Sequence, residues 1–125
     1  MSFVRYASLL LLTVPAIASA QSMNADLFYK KAQALKAKGP LALMSKDLKL
    51  VMNEGKASAT KARETRLAAV KAGQAPRYCP PTGNKGIGTD EYMNGLAQIP
   101  AAERARITMT EATTRILARK FPCPA

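Results

Sequence analysis

The 125 residues carry 19 lysines and arginines against 8 aspartates and glutamates, a formal net charge of +11, with no histidine, no tryptophan and two cysteines. Without histidine the commonest general base and metal ligand is missing, so neither a Ser-His nor a Cys-His nucleophile can be assembled. The length fits one modest domain, and the charge points to anionic partners.

Residues 1–20 open with Arg5, continue through the apolar run Ala7 to Ile17 and end on Ala18-Ser19-Ala20. A basic start, a short hydrophobic centre and a small-x-small site predict a bacterial secretory signal peptide cleaved after Ala20. The run is shorter than a membrane span of roughly 20 residues, and no second long apolar run follows, so the mature chain is expected to have no membrane span. The expected location is periplasmic or secreted, with 21–125 forming a single helical domain. In such a compartment paired thiols oxidise, so Cys79 and Cys123 are expected to form a disulfide.

Asn24 is placed to cap a helix over 25–38, with Asp26 in its first turn and Leu27, Phe28, Ala32 and Leu35 forming an apolar stripe. Gly39-Pro40 ends it. A longer helix is predicted over 41–72, with Met44, Leu48, Val51, Gly55, Ala59 and Ala62 turned inward and a bend or frayed section near Gly55. Lys46, Lys49, Lys56, Arg63 and Lys71 fall on its other side as a basic stripe, the candidate surface for an anionic partner.

This basic half, 24–73, gives way to a loop over 74–88 that contains Pro76, Pro80, Pro81 and three glycines. In the remaining half, 89–125, Thr89 is expected to cap a helix over 90–98 whose Tyr92, Met93 and Leu96 face inward, and Pro100 starts a further turn. Thr108-Met109-Thr110-Glu111 has the capping-box spacing, so a last helix is predicted over 109–120 with Met109, Ala112, Ile116 and Leu117 packed inward. Pro122 stops it. No segment alternates like a strand, so the fold class is all-α: a small helical bundle with one disulfide.

The chemistry that such a chain lacks is informative. No Cys-x-x-Cys, phosphate-binding glycine loop or calcium-loop spacing occurs, and no metal or other cofactor is expected. Lys85 lies in a segment only loosely rich in glycine, and the adjacent Asp90 and Glu91 suit a helix N-terminus better than paired acid-base work. No catalytic residue is expected, and the chain reads as non-enzymatic. Nucleic acid is not an expected partner, because the aromatic residues do not interleave with the basic stripe.

The C-terminal half carries a further pattern: Tyr78-Cys79-Pro80-Pro81, a glycine-containing spacer, Thr89 opening a helix with Tyr92 and Leu96, then Ile99-Pro100-Ala101-Ala102-Glu103-Arg104 and finally Phe121-Pro122-Cys123-Pro124. From Tyr78 to Pro124 it resembles the Rap/Tai family of type VI secretion immunity proteins. The N-terminal half departs from that family, having the Lys/Ala-rich stretch 46–72 where an aromatic, glycine-rich helix usually precedes the first cysteine. The resemblance implies a small exported helical protein that binds and occludes a periplasmic cell-wall amidase toxin. It also implies framework roles for Pro80, Pro100, Phe121 and Pro122, with Phe121 packed beneath the disulfide. The alternative is a basic envelope-binding module for anionic lipid or cell-wall polymer that uses the stripe Lys46, Lys49, Lys56, Arg63 and Lys71. Homodimerisation is a further expectation.

Overall fold

The computed structural model describes residues 23–84 and 86–125. The predicted leader, residues 1–20, and Lys85 lie outside them. Among the described residues the chain is helical, with five α-helices, one 3-10 turn and no strand beyond an isolated bridge between Asn24 and Thr108. The elements are α1 (Ala25–Lys38), the 3-10 turn Gly39–Met44, α2 (Lys46–Lys71), α3 (Thr89–Gln98), α4 (Ala101–Arg104) and α5 (Met109–Lys120).

Local chemistry explains most of the boundaries. The Asn24 side chain accepts from the Leu27 amide and caps α1. Gly39, at φ 56, ends that helix in a conformation that favours glycine, and Pro40 opens the 3-10 turn. The expected single helix over 41–72 is therefore two elements: Ser45 accepts from the Asp47 amide and starts α2 five residues late. Gly55 does not break α2. The edge of the Phe28 ring covers Gly55 instead, with Cζ 3.8 Å from where a Cβ would stand.

Thr89 is the first residue of α3 rather than its cap; Gly88 holds the cap position and provides no side chain. Thr108 does cap α5, accepting from the Glu111 amide at 3.1 Å. Only half of the expected box forms, because Arg77 and Arg115 take the Glu111 carboxylate.

The core draws on both halves of the chain, with Phe28 and Leu35 of α1, Val51 of α2, Leu96 of α3, then Ile99 and Met109, Ala112 and Ile116 of α5. The most extensive packing is α2 on α5. The inward face of α2 differs from expectation: Glu54 and Ser58 are buried with Val51 and Ala62, while Ala59 and Met44 are exposed. Glu54 is tolerated because its carboxylate accepts from the Met23 amide at 2.9 Å. Leu27 is likewise outside the core. On α3 and α5, Tyr92 and Thr113 share a hydrogen bond, and burial pushes the Tyr92 hydroxyl up to about 12.

One buried polar junction ties these elements together. Arg104 donates from Nε to Asp26 at 3.1 Å and from Nη1 to the carbonyls of Ile99 (2.6 Å) and Leu96 (3.2 Å), while its guanidinium lies 4.2 Å from the centre of the Tyr29 ring. Lys30 adds a second cation to Asp26 at 2.9 Å. At the other end of the molecule Cys79 and Cys123 are disulfide-bonded, with Cα atoms 4.8 Å apart, and the Cys79 amide donates to the Phe121 carbonyl at 2.8 Å. In the chain-entropy account a loop of this length gains about 4 kcal/mol on closure.

A Cβ on Gly95 would stand 2.9 Å from both Cγ atoms of the buried Ile116, so Gly95→Ala should overpack the α3–α5 contact by more than its helix-propensity gain of ~1 kcal/mol. Its thermal midpoint should fall by about 5 °C, and the same change made in Ile116→Ala should cost less. An unchanged or higher midpoint for the single variant would contradict the contact.

Lys30 first, and Arg104 after it, hold the Asp26 carboxyl below the usual carboxylate range against the opposing effect of burial; Arg77 and Arg115 do the same for Glu111. Depressed folded-state values give stability that is present above the ordinary carboxylate range and lost as protons bind the native carboxylates. Urea unfolding midpoints should therefore drop between about pH 5 and pH 2, and the drop should flatten in Asp26→Asn and Glu111→Gln.

Candidate anionic-partner surface

Helix α2 forms from strong helix formers, lysine, alanine, leucine and arginine, and is long enough for its two faces to diverge. Val51, Ser58 and Ala62 fix the buried side. At ~100° of rotation per residue, Lys46, Lys49, Lys56, Arg63 and Lys71 fall within an arc of about 100° on the opposite side, spread over roughly 37 Å of helix. All five are exposed. None forms an ion pair among the described residues. Of the three carboxylates on α2, Glu54 is buried, Asp47 pairs with Lys31 at 3.2 Å, and Glu64 alone stands near the stripe.

The cations that meet the carboxylates of the stapled half are used differently. Arg77 grips Glu111 through both oxygens, which pushes its own proton affinity up. Arg115 bridges Glu103 at 2.9 Å and Glu111 at 3.1 Å, and Lys120 bonds Glu91 at 2.7 Å. Arg66, on the flank of α2, lies 5.3 Å from the centre of the Tyr78 ring.

A concavity of about 440 Å³ opens between α3, α4 and α5. Its ionisable groups are the same mutually paired Glu91, Glu103, Arg115 and Lys120, with Arg119 donating to Gln98. That lining pairs opposite charges with one another and holds no nucleophile beside a base. Among the described residues no three acidic or cysteine side chains gather in a way that could hold a metal ion.

The sequence-selected residues divide accordingly. The five stripe residues share one face, Cys79 and Cys123 are joined, and Pro100 accepts from the Glu103 and Arg104 amides at 2.9 Å to start α4. Pro122 follows the end of α5, Phe121 is half-buried against Lys120, and Pro80 is half-buried beside Cys79. Asp90 and Glu91 occupy the first turn of α3, Asp90 exposed at 3.9 Å from Lys36.

Two features escaped the sequence reading: the Asp26–Arg104 junction, whose partners are separated by 78 positions, and the exposed apolar turn Leu41, Leu43 and Met44. The second was detectable, since Ser45 followed by Asp47 is a helix start that places the preceding residues outside α2. Comparison with known proteins finds no matching family, no matching characterised protein and no matching solved structure.

Proposed function

We propose that this chain is a noncatalytic exported binding protein that presents the outer face of α2 to an anionic component of the cell envelope, lipid or wall polymer. The observation that carries the reading is the division of charge. Five cations stand unpaired along one helix face, while Arg77, Arg115 and Lys120 are engaged with carboxylates of the stapled half. Side chains that stabilise nothing internally are free to release counterions to a polyanion, and a row of them raises association rates through the summed field. The disulfide suits an oxidising compartment, which supports export.

A second reading is favoured by the bond between Cys79 and Cys123, which joins the two ends of the Rap/Tai-like pattern. In that reading the chain occludes a periplasmic cell-wall amidase toxin with a rigid surface. Such an interface buries a core depleted in charge, so it depends less on salt than polyanion binding does.

Salt and one variant separate the readings. Binding of the oxidised protein to a soluble polyphosphate should weaken roughly 100-fold between about 50 and 200 mM salt. Changing all five stripe residues to Gln should abolish it while leaving the thermal midpoint within a few degrees. Salt-tolerant, stoichiometric inhibition of a wall amidase that survives the five changes would overturn the first reading in favour of the second.

A further inference from the structure

The turn between α1 and α2 has an unusual composition. Gly39 and Pro40 supply its geometry, and the remaining residues are Leu41, Ala42, Leu43 and Met44 where turns ordinarily carry polar side chains. A 3-10 turn repeats every three residues, so Leu41 and Met44 stack on one side, Leu43 projects a third of a turn away, and Ala42 takes the remaining direction. Ala42 is the residue that packs against the core. The other three are 69%, 80% and 87% exposed. Single exposed apolar residues are ordinary on protein surfaces; three neighbours at the tip of a helical hairpin are a patch.

The carboxylate in the first turn of α2, Asp47, is paired with Lys31 at 3.2 Å, so the charges around this tip that stand outside ion pairs among the described residues are all of one sign. Lys38 ends α1, and Lys46 and Lys49 occupy the first turn of α2; all three are exposed and outside any ion pair among the described residues. Lys38 complements the negative end of the α1 dipole, which accounts for it structurally. Lys46 and Lys49 sit at the positive end of α2, where a cation works against the helix, so helix stability does not account for them. Like charges around an apolar tip also oppose pairing with a second copy of the tip. An apolar wedge ringed by lysines is complementary to the boundary between anionic headgroups and acyl chains.

We infer that the α1–α2 tip is a membrane-docking wedge: Leu41, Leu43 and Met44 enter the interface of an anionic phospholipid bilayer while Lys38, Lys46 and Lys49 contact its headgroups. This deepens the proposed function and rests on it, naming lipid rather than polymer as the partner of the basic face. The protein lies on the bilayer, and among the described residues no helix is long and apolar enough to cross one. The remaining stripe residues, Lys56, Arg63 and Lys71, stay in the attractive field of the surface and add to affinity without inserting.

The chain contains no tryptophan, so Leu43→Trp installs a single reporter at the tip. With phosphatidylcholine/phosphatidylglycerol vesicles its emission should shift to the blue and be quenched by lipids brominated on the acyl chain, and neither should occur with phosphatidylcholine alone. In co-sedimentation, the triple change of Leu41, Leu43 and Met44 to Ser should weaken binding to the anionic vesicles by about tenfold or more, and binding to soluble polyphosphate by less than about twofold. These residues are exposed, so the thermal midpoint should hold, and all proteins are compared with the same N-terminus. Polyphosphate binding without vesicle binding, or a serine variant that binds vesicles as well as the parent, overturns the wedge and leaves the basic surface standing. Binding to neither overturns both. A serine variant that only converts a dimer to a monomer identifies the tip as a self-association site and overturns the wedge.

Discussion

The fold depends on a buried guanidinium that has to be satisfied on every side. Arg104 belongs to a helix of four residues that could not hold its position alone, yet it donates to the Asp26 carboxylate, to two carbonyls at the end of α3, and covers the Tyr29 ring. A charge taken out of water is costly unless its partners are in place, so the junction forms only when α1, α3 and α4 are correctly assembled. Asp26 comes from the basic half and Arg104 from the stapled half. The junction therefore decides how the halves meet, and the disulfide secures the chain at the far end of α5.

With that registry set, the long helix α2 has one face committed to α5 and another that the fold does not need. Small buried residues, Ser58 and Ala62, let α5 lie against it, and among the described residues no element covers the opposite side. The charges follow the same division. Cations near α5 are spent on Glu91, Glu103 and Glu111, whereas those on the outer side of α2 and at the α1–α2 tip have no internal partner among the described residues. The charge of the described residues is thus not evenly spread: most of the exposed cations outside ion pairs lie along α2 and at its tip, which favours a steering field there.

The helices were legible in the sequence because helix periodicity and caps are local: Asn24, Thr108 and the apolar spacing of α1, α3 and α5 locate three helices closely. The start of α2 was less so, because Leu41, Leu43 and Met44 continue an apolar pattern that only the capping hydroxyl of Ser45 interrupts. The buried face of α2 was misplaced for a different reason. Glu54 and Ser58 are polar, and hydropathy spacing assigns them outward, yet Glu54 is buried against the Met23 amide, a partner 31 positions away. Arg104 fails the same test on a larger scale, since nothing within its own helix indicates that its charge is matched inside. The stripe Lys46, Lys49, Lys56, Arg63 and Lys71 was legible as a face, but its standing as the unpaired face required knowing where every other cation goes.

The central claim, that the outer side of α2 is the working surface, is tested most directly by mapping the contact residue by residue. Backbone amide resonances of the oxidised protein would be followed by NMR during titration with small bilayer discs of phosphatidylcholine and phosphatidylglycerol. The account predicts broadening confined to the α1–α2 tip and to the Lys46, Lys49, Lys56, Arg63 and Lys71 face, with the α3–α4–α5 cleft unaffected. Perturbations centred on that cleft, at Gly95, Gln98 and Arg119, with α2 silent, would contradict it.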